Sequence, residues 1–328
     1  MGKYILKRLA LMLFTLFIVM SVCLILIRLL PVPAVARVPG ADITLQYKKL
    51  VALGYLVEKS NGEFVKAPLF ASYLTFWKNV FTSWNWGEGL TMYPTKGVWE
   101  ILLEKLPYTV LVNLYALLFA APLGIALGIF AALKKNRWQD HLVSVAVVVF
   151  ISVPSYVYAF LVQYFLCYKW GWFDLQVAKG FPVLSGRVFL SMLPAVLSLS
   201  FGVIAGLTRY TRAELSEVLT SEYMLLARAK GLTKGQAVFR HALRNAMVVI
   251  FPVLLGEFIG VLSGSLIIEQ VFGVPGVGAL YISSIQMKDY NFFMGLTFFY
   301  TTIGLLSGLI VDVSYGLIDP RIRIGGKK

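Results

Sequence analysis

Six stretches of this chain are apolar over about the length a helix needs to cross a bilayer, and they constrain the fold more than any other feature. They run Leu9–Leu30, Tyr108–Leu133, Leu142–Tyr168, Phe189–Leu207, Ala246–Phe272 and Phe292–Tyr315. At ~1.5 Å of rise per residue, roughly 20 residues span a hydrocarbon layer of ~30 Å. No water is available there to pair backbone N–H and C=O groups, so each block must satisfy its own and is read as helix. The alternating segments of a membrane barrel are absent from the sequence. Hydrophobic residues make up 59% of the 328, with mean hydropathy +0.77. Soluble domains hold roughly 45–50%, so this chain has too little polar surface for one. The expected fold is an all-α integral membrane protein of six transmembrane helices. A long segment separates the first two spans, and a structured loop separates the fourth and fifth. The divisions are 1–30, 31–107, a core over 108–315 that includes the 209–245 loop, and a tail over 316–328.

The net charge of +14 would suggest nucleic acid in a soluble protein, but here topology accounts for it and no nucleic-acid partner is expected. Lys3, Lys7 and Arg8 precede the first span, and Lys134, Lys135 and Arg137 follow the second. Arg209, Arg212, Arg228, Lys230, Lys234, Arg240 and Arg244 follow the fourth, and Arg321, Arg323, Lys327 and Lys328 come last. The opposite short loops carry only Lys169, Lys179, Arg187 and Lys288. By the positive-inside rule both termini are cytoplasmic. Segment 31–107 is then extracytoplasmic by parity of spans. Cys23, Cys167, His141 and His241 lack the spacing of a disulfide framework or zinc site. Ala34-Val35-Ala36 has the form of a leader-cleavage site, but the apolar block before it exceeds the ~7–15 residues of a leader core. The first helix is therefore read as retained.

Between the first two spans, Leu45–Leu53 reads as a short helix. Phe76, Trp77, Phe81, Trp84 and Trp86 form an aromatic run, read either as a membrane-interface belt or as a surface for an external partner. Pro154 inside the third span should kink it and free a carbonyl, shaping a pathway or merely a packing irregularity. Gly124 and Gly128 have the spacing that lets helices approach closely. Gly256, Gly260 and Gly264 share it, which suggests a central position for the fifth span.

The 209–245 loop is the most informative polar segment. Glu222–Lys230 reads as a helix stopped at Gly231, a residue suited to a left-handed cap. Thr233 and Gln236 then fit a capping box that opens a second helix. Tyr223, Leu226 and Leu232 leave apolar groups on a charged surface. Taken alone, this is equally an amphipathic hairpin resting on headgroups.

Residues 222–232 (EYMLLARAKGL), followed by Arg240-His241-Ala242-Leu243-Arg244-Asn245-Ala246, resemble the cytoplasmic signature of ABC-importer permeases of the dipeptide/oligopeptide/nickel branch. The generic form is E-A-A-x-x-x-G. Ala227 and Gly231 match it, while Leu225 and Leu226 depart from it as is usual in this branch. Glu269, Phe272, Pro275, Gly276 and Gly278 resemble the stretch E-x-x-F-x-x-P-G-x-G after the family's penultimate helix. Asp312-Val313-Ser314-Tyr315 and Asp319-Pro320-Arg321 resemble its C-terminal end.

The resemblance implies a coupling role for Glu222, Tyr223, Leu226, Ala227, Arg228, Ala229, Lys230, Gly231 and Leu232, inserted into a cytoplasmic ATPase. It also implies a bacterial plasma-membrane location, a homologous second permease subunit, two ATPase subunits and an extracytoplasmic substrate-binding protein. The expected cargo is peptide. The chain has no G-x-x-x-x-G-K-[ST], so ATP and Mg would bind the partner ATPases, and this chain is expected to bind no cofactor and to be no enzyme. The rival is an ion-gradient-driven transporter or channel subunit. Its best support is ionisable groups inside spans: Glu257, which either faces a water-filled pathway or meets a partner's helix, and Asp312, which sits near the cytoplasmic end and reads rather as an interfacial cap or ion-pair member. Pro154, Glu257, Glu269, Pro275 and Gly276 are the pathway or packing candidates. A scaffold or sensor would need a signalling domain that the sequence lacks.

Overall fold

The computed structural model describes residues 2–32 and 43–318, and Ala34–Ala36 and Asp319–Arg321 lie outside them. In chain order the elements are α1 (Gly2–Leu29), α2 (Ile43–Ala52), β1 (Leu56–Glu58), β2 (Phe64–Lys66), α3 (Leu69–Ser83) and α4 (Val98–Leu133). Next come α5 (Trp138–Ser152), α6 (Ser155–Val162, continued by a π-helical turn to Lys169), α7 (Gly186–Val218), α8 (Glu222–Ala229) and α9 (Lys234–Ala237). The last are α10 (Leu243–Gly260), α11 (Leu266–Val271), α12 (Val277–Gln286) and α13 (Tyr290–Ile318). The antiparallel β1–β2 hairpin, with Leu56 opposite Lys66, is the only sheet among the described residues.

Five helices are unbroken and apolar enough to cross a bilayer: Tyr4–Leu29, Val98–Leu133, Gly186–Val218, Gly235–Gly260 and Tyr290–Gly316. The expected third span is instead a bent pair. Trp138–Ser152 and Ser155–Lys169 meet at 97°. With 15 residues, α5 rises only ~22 Å and does not alone cover ~30 Å. The break has a chemical cause: Pro154 has no N–H to offer the Phe150 carbonyl. Tyr158 supplies the missing donor, its hydroxyl reaching the carbonyls of Phe150 and of Val153, the latter at 2.8 Å.

The expected fifth span, Ala246–Phe272, is also not one helix. α10 ends at Gly260, and Gly264 takes φ +64° before α11 begins. Glycine adopts that left-handed geometry without a Cβ clash, so the Gly-Ser run breaks the apolar block. Nor is this helix central: 22% of its most apolar stretch is buried, against 50% for α7. Toward its start, α9, a π-helical turn over Val238–Ala242, and α10 form one continuous rod. The second helix of the loop and the fifth span are thus the same element.

The chain packs as two compact units, whose boundaries fall after Pro107, Pro275 and Leu305. One combines Tyr108–Pro275 with the described residues from Leu306; the other combines the described residues of 2–107 with Gly276–Leu305. In the first, α7 packs against α5, α6 and α10. Gly124 and Gly128 bring α4 close to α7. A Cβ on Gly128 would sit 2.5 Å from the Thr211 Cβ, and one on Gly124 would sit 2.9 Å from the Leu207 Cβ. Thr208 Oγ1 donates to the Gly124 carbonyl at 3.1 Å. Gly128→Ala should therefore cost about 1–3 kcal/mol through overpacking, read as a lower thermal midpoint in detergent. Gly206→Ala is the control, because nothing described lies within 4 Å of a Cβ there.

In the second unit, Met20 and Leu24 of α1, Leu50 of α2, Phe76 and Val80 of α3, Ile101 and Leu102 of α4, and Phe292 and Leu296 of α13 share one core. The opening turns of α4 carry Glu100 and Glu104 but bury Val98, Ile101 and Leu102 at helical spacing. This amphipathic start places the helix N-terminus at Val98 rather than Tyr108. The aromatic run divides: Phe76 and Trp86 are buried, whereas Phe81 and Trp84 are exposed. Trp86 packs 4.7 Å from Phe298, so two of the five aromatics are core rather than belt, and Trp77 is half-buried beside them. Fully buried Asp289 joins this unit internally. Its Oδ2 accepts the amides of Leu90 (2.7 Å), Thr91 (2.9 Å) and Met92 (2.9 Å), and its Oδ1 accepts Phe292 N at 3.4 Å.

Candidate functional site: the loop between α7 and α10

Local sequence dictates the shape of this loop. α8 runs Glu222–Ala229, one residue shorter than the sequence expectation. It closes in a Schellman arrangement, with Gly231 N donating to Arg228 O (3.0 Å) and Leu232 N to Ala227 O (3.3 Å). Gly231 takes φ +87°, the left-handed geometry this closure demands. The capping box follows at once. Thr233 N donates to Gln236 Oε1 (3.1 Å), and Gln236 N to Thr233 Oγ1 (3.3 Å). Two reciprocal bonds start the next helix where the previous one stops.

The faces of α8 differ sharply. Met224 and Ala227, three residues apart and thus on one face, are buried in a cluster with Ala132, Leu215, Ala237, Ala242, Ala246 and Ile250. Leu232 packs against the same cluster. Glu222, Tyr223, Leu226, Arg228, Ala229, Lys230 and Gly231 are exposed. Of the residues singled out in the sequence, Ala227 therefore anchors the helix and offers no surface. Leu225, not singled out, is the most exposed apolar side chain of α8 at 65%, beside Leu226 at 56%. Its signal was available, since Leu225 lies one residue from Met224 and so turns away from the buried face. α8 is thus a short rod seated on the ends of α4 and α7 and the start of α10, with two leucines pointing out.

An ion pair stiffens that seat. Arg212 Nε and Nη2 donate to Asp140 Oδ1 (2.5 Å) and Oδ2 (2.8 Å). Asp140 is buried and also accepts Asn136 N at 2.9 Å. The pair fixes the α4–α5 turn to the same stretch of α7 that carries Leu215. In the sequence, Arg212 was accounted for by membrane topology alone.

The remaining candidates do not gather around α8. Glu269 is fully buried on α11 and accepts the Thr109 hydroxyl at 3.1 Å. Phe272 is buried, and its carbonyl takes Val177 N at 2.9 Å. Glu269 and Phe272 thus pack within the first unit. Pro275 is half-buried, and buried Gly276 precedes α12. Pro154 is exposed at the bend. Glu257 is exposed on α10, an acidic group on a membrane-crossing helix that is not covered within the chain.

Residues 124–324 match the family model described as binding-protein-dependent transport system inner membrane component. The chain belongs to that family. Three relatives extend the similarity over its whole length. This permease is 32% identical over 324 residues to the dipeptide transport system permease protein DppB of Lactococcus lactis, covering 99% of this chain and all of that one. It is 32% identical over 326 residues to the oligopeptide transport system permease protein OppB of Haemophilus influenzae, covering 98% and 100%. It is 29% identical over 323 residues to the glutathione transport system permease protein GsiC of Escherichia coli, covering 98% and 99%. As a multi-pass membrane component of a transport system, the permease is a translocation subunit, and α8 and its seat lie within the matched residues.

Proposed function

We propose that this permease is the translocation subunit of an ATP-driven ABC importer for peptides. In this reading α8 and the following turn, residues 222–236, dock a cytoplasmic ATPase. The observation that carries the reading is the split character of α8, anchored by Met224 and Ala227 while Leu225 and Leu226 project outward. An amphipathic hairpin lying on headgroups would also show apolar groups outward. However, it would need no rigid seat on three helices, nor a Schellman closure and capping box fixing its angle.

In this reading the bent pair counts as one crossing, both termini lie on the cytoplasmic side of the bacterial plasma membrane as the basic flanks favour, and 31–107 lies outside. Two ATPase subunits bind ATP and Mg and close on nucleotide. They press on α8 here and on its counterpart in a homologous second permease. Through the α7 and α10 seats, the spans rock between outward-open and inward-open states. An extracytoplasmic binding protein delivers the cargo. The dipeptide, oligopeptide and glutathione systems of the relatives support a short peptide as that cargo. This chain contributes the path and the lever, and hydrolysis belongs to its partners.

Exposed Glu257 favours a second reading, an ion-gradient-driven carrier, because an ionisable group on a spanning helix is costly unless used or paired. Uptake in proteoliposomes of the co-purified complex decides between the two. The proposal expects radiolabelled dipeptide uptake to require ATP inside and to survive collapse of proton and sodium gradients. Gly231→Val should lower uptake strongly, because a β-branched residue at φ +87° resists the left-handed turn. Uptake that follows the gradient and ignores ATP would establish the second reading.

A further inference from the structure

The end of α1 carries a charge that the described residues around it leave underpaired. Arg28 is 7% exposed, with its guanidinium carbon 3.6 Å from the Tyr55 ring centroid. Nη2 donates to the Leu53 carbonyl at 2.9 Å. Nε and Nη1 are buried without a hydrogen-bond partner among the described residues. A guanidinium does not deprotonate in proteins, and burying one with open donors is costly. Tyr55 brings no compensating anion: burial pushes its phenol well above the ordinary range, and its hydroxyl donates to Asn291 Oδ1 at 2.9 Å. Asp289 is held by the amides of residues 90–92. Among the described residues that line the same nook, the other charged side chain is itself basic: Lys66, which donates to the carbonyls of Leu29 (3.3 Å) and Leu30 (2.8 Å).

Arg28, Tyr55, Lys66 and Tyr290 line a nook of about 10 Å³, room for one oxygen-sized atom. Ile27, Leu30, Pro31, Val32 and Tyr290 also line a neighbouring groove of about 670 Å³, within the size range of ligand sites. Leu26, Ile285 and Phe293 complete its apolar wall, and exposed Lys288 lies at its rim. The first span ends at Leu29 and the last begins at Tyr290. The basic groups therefore lie at headgroup level, and the apolar wall beside Cys23, Leu26 and Phe293 lies at the depth of the tails.

We propose that this groove seats one anionic phospholipid. Its acyl chain lies along Leu26, Ile27 and Phe293, and its phosphate meets Lys288 with one oxygen turned into the Arg28 nook. Charge selects the headgroup. Arg28, Lys66 and Lys288 attract an uncompensated phosphate, whereas the ammonium of a zwitterionic headgroup would meet like charge. The inference does not depend on the transport reading.

The test uses the full chain in detergent, titrated with phosphatidylglycerol or phosphatidylcholine of identical acyl chains. Native mass spectrometry reads retention, and the thermal midpoint reads stabilisation. Phosphatidylglycerol should be retained at least about fivefold better, the contribution of one basic group near an anionic lipid. Lys288→Gln, at an exposed position that does not threaten folding, should weaken that preference about fivefold; Arg28→Gln should weaken it further. Equal retention of the two lipids, or an unchanged preference in Lys288→Gln, overturns the proposal. So does soluble glycerol phosphate reproducing the stabilisation, which would make the ligand a free anion. Loss of the preference once the second permease subunit is co-purified would make that subunit the occupant, with the same consequence.

Discussion

Arg212→Ala is expected to lower the stability of the permease by on the order of 3 kcal/mol, because it strands a buried carboxylate. Among the described residues Asp140 would retain only the Asn136 amide as partner, with its charge still shielded from water. The seat of α8 should loosen with it, since Leu215 lies one turn beyond Arg212 on α7. Asp140→Ala should cost a comparable amount. The double variant should cost much less than the sum of the two, as both substitutions remove the same interaction. Thermal unfolding of the four proteins in detergent checks this. Additive effects, or a midpoint unchanged in Arg212→Ala, would mean that the pair is solvated and contributes little.

Asp289→Ala should be similarly damaging, by about 2–4 kcal/mol. Three amides in one loop lose a shared carboxylate oxygen, and α13 loses the side chain at its start. Asp289→Asn keeps an acceptor without the charge and should recover part of the loss. Hydrogen exchange gives the sharper reading. Amides 90, 91 and 92 should exchange faster in the alanine variant, while amides of the β1–β2 hairpin change little. Unchanged protection at 90–92 would mean that the loop is held by other contacts.

These two carboxylates mark where the sequence ceased to be legible. Membrane physics made the spans readable, because a block as long and apolar as Phe189–Leu207 has few soluble alternatives. Local chemistry made the loop readable: Gly231 and the Thr233/Gln236 pair act over a few residues, and the structure contains the turn and box they predict. Partners distant in the chain left no such trace. Asp140 and Arg212 are 72 positions apart, and the positive-inside rule already accounted for the arginine. Asp289 did carry a local sign, an acid immediately before an apolar helix, but nothing nearby reveals residues 90–92. Hydropathy also cannot see geometry. Ala246–Phe272 is long and predominantly apolar, yet Gly264 turns the chain inside it. Val98–Pro107 is too charged to count as a span, yet it is helix. The packing of α12 and early α13 with the N-terminal segments depends on contacts across most of the chain, which no local pattern encodes. Among the candidate residues, exposure corrected the reading most, moving Ala227 inward and bringing Leu225 forward.

The account rests on α8 as the ATPase dock, and site-specific photocrosslinking tests it most directly. A photoreactive residue replaces Leu225 in the co-purified complex, with the same residue at buried Ala227 as comparison. The expected result is an adduct between the permease and its ATPase from position 225, changing in yield when ATP binds, and little or none from position 227. An intact, ATP-hydrolysing complex that gives only lipid adducts from position 225 would contradict the account and leave α8 a hairpin on the membrane surface.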